Sequence, residues 1–229
     1  MEAKILLSYH SVVLRAGDIA CLQDRCWLND TCATFFYEYL NEKHSPEDQL
    51  ILLLDPMTVF WIVIENDEED LVDGLKRLKT LTKAEYIFVP VNDNDQNQVP
   101  GAGSHWALGI LDCETSVLHY WDSSSSAGNK ANAINVSKKL INVRKILNQD
   151  EESQGGKLKT QVEECPHQTN SYDCGVYMLY FSELILQYLL NGGTDLGSVS
   201  LEAISPAKVT EKRHSITDLI NTMIAQKKQ

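Results

Sequence analysis

The run of residues after Cys174 constrains the fold more than any other stretch of the chain. Tyr177, Tyr180, Phe181, Leu184, Ile185, Tyr188 and Leu189 recur with helical spacing, which predicts a long helix with an apolar stripe turned to the core. The polar segment Pro166-His167-Gln168-Thr169-Asn170-Ser171-Tyr172-Asp173 leads into it, so Cys174 falls in the first turn. Unpaired backbone N–H groups and the positive end of the helix dipole favour an anion there, and a thiol in that place gains thiolate character. Gly175 leaves the backbone beside the sulfur open to close approach. Taken by position alone, such a cysteine still reads first as a small buried hydrophobe. The residues that would serve a nucleophile have to decide.

With 229 residues and 43% hydrophobic residues, the chain supports a substantial core, and we expect a single domain over residues 1–229. A formal charge of −12 repels phosphates, which argues against a nucleic-acid partner and suits a partner with a basic face. Cys21, Cys26, Cys32, Cys113, Cys165 and Cys174 form no C-x-x-C pair and follow no secretory segment, so neither a zinc ribbon nor a disulfide framework is expected. Reduced thiols place the chain in cytoplasm or nucleus. The apolar run from Leu50 to Ile64 is broken by Asp55-Pro56, too short for a bilayer span of about 20 residues. No membrane association is expected.

Helical spacing of Cys32, Phe35, Phe36, Tyr39 and Leu40 after Trp27-Leu28-Asn29-Asp30 predicts a helix capped by Asn29 or Asp30. Ile51 to Leu54 reads as a short strand, and Asp55-Pro56 opens a helix to about Ile64. The acidic run Glu65 to Asp70 reads as a solvated stretch feeding a helix over 71–81. Strands are predicted at Glu85 to Val91, His105 to Asp112, Val117 to Asp122 and Leu158 to Glu164, with helices at Lys130 to Leu147 and Lys208 to Ala225. Loops fall at Asn92 to Gly103 and Asp150 to Gly156. Helices around a small run of central strands make an α+β fold.

A thiolate nucleophile needs a base, and the base needs an orienting group. If Cys113 and Glu114 form a two-residue turn, facing residues have numbers that sum to 227, and His105 opposes Asp122 directly. A longer turn moves them to a diagonal on the same face, because the strand period is two. Gln168 offers a side-chain N–H₂ and Cys174 its backbone N–H to a tetrahedral oxyanion. Singly, His105 reads as a core or loop histidine, Asp122 as a turn carboxylate and Gln168 as polar surface. Together they supply a full acyl-transfer set.

Trp27-Leu28-Asn29-Asp30, His105-Trp106, Asp122-Ser123 and Gln168 through Cys174-Gly175 resemble, in order, the motifs of the Ulp/SENP ubiquitin-like protease family. Nearly the whole chain is covered. The short stretch between Ser8-Tyr9 and Trp27, the sequence Val91-Asn92-Asp93-Asn94 and the segment Asn170 to Gly175 are most similar to its small deneddylase branch. The resemblance implies a papain-like cysteine protease fold, a central mixed sheet with flanking helices and the nucleophile at the N-terminus of a central helix. It implies Cys174 as nucleophile, His105 as general base and acid, Asp122 orienting His105 and Gln168 in the oxyanion hole. It also implies a diglycine tail in a channel roofed by Trp27 and Trp106, with Asp30 near the entrance. Glycine alone lacks a Cβ to collide with indole walls. Trp61 and Trp121 are expected in the core instead.

The implied activity is a cysteine isopeptidase and endopeptidase cleaving after the Gly-Gly of a ubiquitin-like modifier, foremost the neddylation modifier, from a monomer and without metal or organic cofactor. SUMO or ubiquitin as the modifier, a catalytically silent ubiquitin-like-binding module and an acetyltransferase are the alternatives. The resemblance explains neither the length of the Asn92 to Gly103 loop nor the acidic run.

Overall fold

Local signals in the chain set most element boundaries of the computed structural model, which describes residues 4–44, 50–94, 103–124, 129–149 and 157–227. The segments that the sequence reads as loops, Asn92 to Gly103 and Asp150 to Gly156, lie largely outside the described residues. Two compact units are present.

One unit comprises described residues of 50–121 and 126–164 and is built on a five-stranded sheet in the order β3 (Ile51–Leu53), β4 (Tyr86–Asn92), β5 (Trp106–Asp112), β6 (Val117–Trp121), β7 (Lys159–Val162). The two outer pairings are parallel and the two inner ones antiparallel. Helix α3 (Pro56–Ile64) starts as its sequence dictates, with the Asp55 carboxylate accepting the Met57 and Thr58 N–H groups at 3.0 Å and proline at the first turn. Helix α4 (Glu68–Leu75) begins earlier than expected. The acidic run is its start, because Glu68, Glu69 and Asp70 face the positive end of the dipole and Asp67 caps the Asp70 N–H. It stops six residues before Leu81, and its Gly74 gives way to the Trp61 indole, which a Cβ would meet at 2.3 Å. Helix α5 (Lys130–Asn148) closes the layer, its Lys139 Nζ donating to the terminal α3 carbonyls of Ile62 and Val63. The core between these helices and the sheet holds Ile62, Leu75, Ile87, Val89, Leu111, Leu118, Val136 and Leu140. Trp61 packs against this core and Trp121 is buried, as expected of both.

The β5–β6 register is that of the longer turn, which the strand bounds at Asp112 and Val117 already allow, and not of the two-residue one. Asp112 pairs with Val117 and Leu108 with Trp121, so facing numbers sum to 229 and the turn has four residues. Two local features lengthen it. The Asp112 carboxylate accepts the N–H groups of Glu114 and Thr115, and Ser116 adopts the left-handed region at φ 57°.

The other unit comprises described residues of 4–44, 122–124 and 165–227. A hairpin of β1 (Ile5–Tyr9) and β2 (Val12–Arg15), unread in the sequence, leads into the short helix α1 (Ala16–Ala20). Helix α2 (Asp30–His44) is capped by Asn29, whose Oδ1 accepts the Cys32 N–H at 2.9 Å. Helix α6 (Cys174–Leu190) lies against it, and the Tyr37 and Ser182 hydroxyls meet at 2.8 Å between them. Helix α7 (Pro206–Gln226) covers α6, tied by a 2.5 Å Lys212–Glu183 ion pair. Among the described residues no helix is long and apolar enough to cross a membrane.

Candidate active site

Cys174 is the first residue of α6 and is 4% exposed. The loop before it is a chain of hydrogen bonds. Gln168 donates its backbone N–H to the Ser123 carbonyl at 2.7 Å, while its Oε1 accepts the Ser123 hydroxyl at 2.8 Å. With its oxygen held, the carboxamide turns its N–H₂ the other way, and one N–H reaches the Asn170 carbonyl at 2.6 Å. Asn170 in turn accepts the Tyr172 and Asp173 N–H groups and donates to the Asp173 carboxylate at 2.7 Å. Gln168 and Cys174 are therefore fixed ends of one rigid loop.

Asp122 belongs to the same unit. It is 6% exposed, its Oδ1 accepts the Ser124 N–H at 2.8 Å, and its carbonyl accepts the Cys165 thiol at 3.3 Å. The structure thus brings the Asp122-Ser123 segment against the 165–168 segment. Sequence alone gives neither Ser123 nor Asn170 a part, although both stand inside the family-like segments. Trp27 is 53% exposed, which sets it apart from a core residue. Asp30 opens α2 four residues before Thr34, and burial pushes its carboxyl up from the ordinary aspartate range. The α1 residue Asp18 holds this motif by accepting the Asn29 amide at 2.8 Å.

Cys21, Cys32, Cys113 and Cys165 are poor thiolates. Burial pushes the Cys113 and Cys165 thiols up to about 11, and raises Cys32 and Cys21 as well. At neutral pH a thiol at about 11 is ionised only about once in 10⁴.

His105 and Trp106 belong to the sheet unit. Trp106 begins β5, opposite Asn92 of β4, and is 5% exposed. His105 precedes it, and its backbone is clamped on both sides. Its N–H donates to the Asp93 carboxylate at 3.0 Å, and its carbonyl accepts the Asp93 N–H at 3.2 Å and the Asn129 Nδ2 at 2.8 Å. Asn129 is fully buried and its Nδ2 also donates to the Val91 carbonyl. Neither Asp93 nor Asn129 was singled out for this from sequence, because both act through the backbone of a residue 12 or 24 positions away.

Burial opposes ionisation of Asp93, but the Ser104 hydroxyl and the Ser104 and His105 N–H groups together outweigh it and hold the carboxyl below its ordinary value. A depressed acid stabilises the fold above its unfolded value of 3.8, and that contribution disappears as pH falls through the folded value. The Asp93 carboxyl resonance should therefore hold its ionised position from pH 7 to about pH 4 and move only below it. A midpoint above that range would contradict the clamp.

The sequence profile described as "Ulp1 protease family, C-terminal catalytic domain" matches residues 26–227. The chain belongs to the Ulp1 protease family. It is thereby a cysteine peptidase, as the sequence resemblance implied. Over 222 residues this Ulp1-family chain is 32% identical to sentrin-specific protease 8 of Homo sapiens, covering 96% of the chain and 97% of that protein. It is 29% identical over 225 residues to NEDD8-specific protease 1 of Arabidopsis thaliana, covering 96% and 94%. The solved C-terminal Ulp1 protease domain in complex with Smt3, the yeast orthologue of SUMO, superposes with a TM-score of 0.70 at 26% identity, covering 97% of the chain and 89% of that one. The α+β protease fold expected from sequence is thus the Ulp1 fold, helices around a five-stranded mixed sheet.

Proposed function

We propose that this chain is a deneddylase, which cleaves after the C-terminal Gly-Gly of NEDD8 both to release it from cullin-type conjugates and to trim its precursor. The observation that carries the reading is the end-to-end similarity to a relative named NEDD8-specific protease, over 96% of this chain and 94% of that one. In this reading both units serve one catalytic domain, acting as a monomer in cytoplasm or nucleus, with the acidic surface suited to a basic modifier face and not to nucleic acid.

Cys174 is the nucleophile. Its thiolate attacks the carbonyl of the terminal glycine, and the oxyanion that forms is met by the Cys174 N–H and the Gln168 amide. His105 takes the thiol proton and returns it to the departing amine, which is a lysine side chain or the backbone of an extension. Water, deprotonated by His105, then cleaves the thioester and frees the glycine carboxylate. Asp122 orients the imidazole. His105 stands one residue before β5 and Asp122 one after β6. Trp27, Trp106 and Asp30 receive the tail, and the exposure of Trp27 suits that part.

SUMO is the second reading, favoured by the solved neighbour that carries Smt3. A panel of NEDD8, SUMO and ubiquitin bearing the same C-terminal fluorogenic amide separates the two. We expect kcat/KM for NEDD8 to exceed the others by about 100-fold or more, since modifier choice is a difference of several contact energies. Faster hydrolysis of SUMO would overturn the proposal.

A further inference from the structure

The α7 arginine Arg213 is 1% exposed and sends its guanidinium to four acceptors. Nη1 donates to the carbonyls of Cys21 and Gln23 at 3.1 and 3.3 Å. Nη2 donates to the Tyr172 carbonyl at 3.2 Å and to the Asp173 carboxylate at 2.8 Å. Both charged groups are buried, with side-chain exposures of 1% and 7%. A lone buried carboxylate beside Cys174 would be costly, and the pairing explains why Asp173 stays.

Asp173 holds the N-cap position of α6, where an aspartate ordinarily turns its carboxylate onto the amides of the first turn. Here it does not. No side-chain cap bond is made, and the backbone sits at φ −95°, ψ 0° instead of the extended conformation usual for a cap. Its two oxygens are taken elsewhere, one by Arg213 and one by Asn170. The first-turn N–H groups and the positive end of α6 are thus kept from the carboxylate of the residue just before the helix. A capping carboxylate would neutralise that end and compete with the reaction's anions.

We propose that Arg213 is a positioning residue for the peptidase reaction, holding the Asp173 carboxylate off the N-terminal amides of α6 so that they act on the Cys174 sulfur and the oxyanion. The inference rests on the reading of Cys174 as nucleophile. It gives a helix at the far end of the sequence a part in the chemistry through one residue, with no contact to the reacting atoms. The same guanidinium fixes the 21–23 turn that precedes Trp27, so nucleophile loop and Trp27 segment share one anchor.

The test uses the full chain, the NEDD8 fluorogenic amide and, independently of any modifier, the rate at which iodoacetamide alkylates Cys174. Arg213→Met should lower kcat by on the order of 10- to 100-fold with KM within about twofold, and slow alkylation, because the freed carboxylate caps α6. The distinguishing variant is the double one. Arg213→Met with Asp173→Ala removes the competing carboxylate and should recover at least about fivefold of the lost kcat and alkylation rate. A merely structural arginine would give no such recovery, since the second change removes more contacts. If Arg213→Met does not fold by circular dichroism, Arg213→Lys, which keeps a cation but not the four-acceptor fork, is read with and without Asp173→Ala against the same expectation. An unchanged kcat, a change confined to KM, or a double variant no better than the single one would overturn the proposal. Cys174→Ala is run alongside: activity surviving that change refutes the nucleophile, whereas a dead Cys174→Ala beside an unaffected Arg213→Met refutes the positioning alone.

Discussion

Replacing Cys174 with alanine is expected to abolish hydrolysis of the NEDD8 amide, by about 10⁵-fold or more, while leaving the modifier bound. The size follows from the kind of step removed. Without sulfur no thioester forms, and the remaining groups, Gln168 and the amides of α6, stabilise an oxyanion that no enzyme nucleophile generates. Binding should persist because the tail contacts ascribed to Trp27, Asp30 and Trp106 do not involve the sulfur. Stability should change only modestly, since the substitution deletes a single sulfur atom from the first turn of α6 and leaves its first backbone bond, Tyr177 N–H to the Asp173 carbonyl at 2.9 Å, untouched. Steady-state rates and a binding titration on the same preparation check both halves. Residual turnover near the wild-type value would refute Cys174 as nucleophile and move that part to another residue. Cys113 and Cys165 are unsuited to replace it, with thiols pushed up to about 11 by burial.

Where residues act on their own backbone neighbours, the fold was legible in the sequence. Asp55-Pro56 opened α3, Asn29 capped α2, and the apolar stripe behind Cys174 became α6. Cys174 and Gln168 stood out as candidates for the same reason, since one short loop carries both. The β5–β6 register stayed open between a two-residue and a longer turn because it depends on an Asp112 side chain folding back on its own turn, a choice that strand periodicity does not report. Parity is the same for both, since a shift of two keeps every side chain on its face. Arg213 left no trace at all. Its partners lie 40 and 192 positions away, and a buried arginine in a helical pattern looks like any surface charge until its acceptors are seen.

His105→Gln is the second large loss we expect, about 10³- to 10⁴-fold in kcat with KM nearly unchanged. Glutamine fills the place of the imidazole and hydrogen-bonds, but it neither accepts the thiol proton nor hands it to the departing amine. The fall therefore lands on both acylation and thioester hydrolysis, and no covalent intermediate should accumulate. The backbone of residue 105 is also held through Asp93 on its N–H and Asn129 on its carbonyl, so the variant should fold. The clamp gives a second handle on the same prediction. Asn129→Ala leaves His105 in the chain but deprives the Val91 and His105 carbonyls of a buried donor, which costs about 1–3 kcal/mol of stability. It should lower kcat far less than His105→Gln, by about 10-fold, because the imidazole is misplaced and not absent. If His105→Gln lost no more than Asn129→Ala, proton transfer would belong to another group, and His119, which is 8% exposed with its Nδ1 2.6 Å from Glu163 Oε1, would be the next histidine to replace.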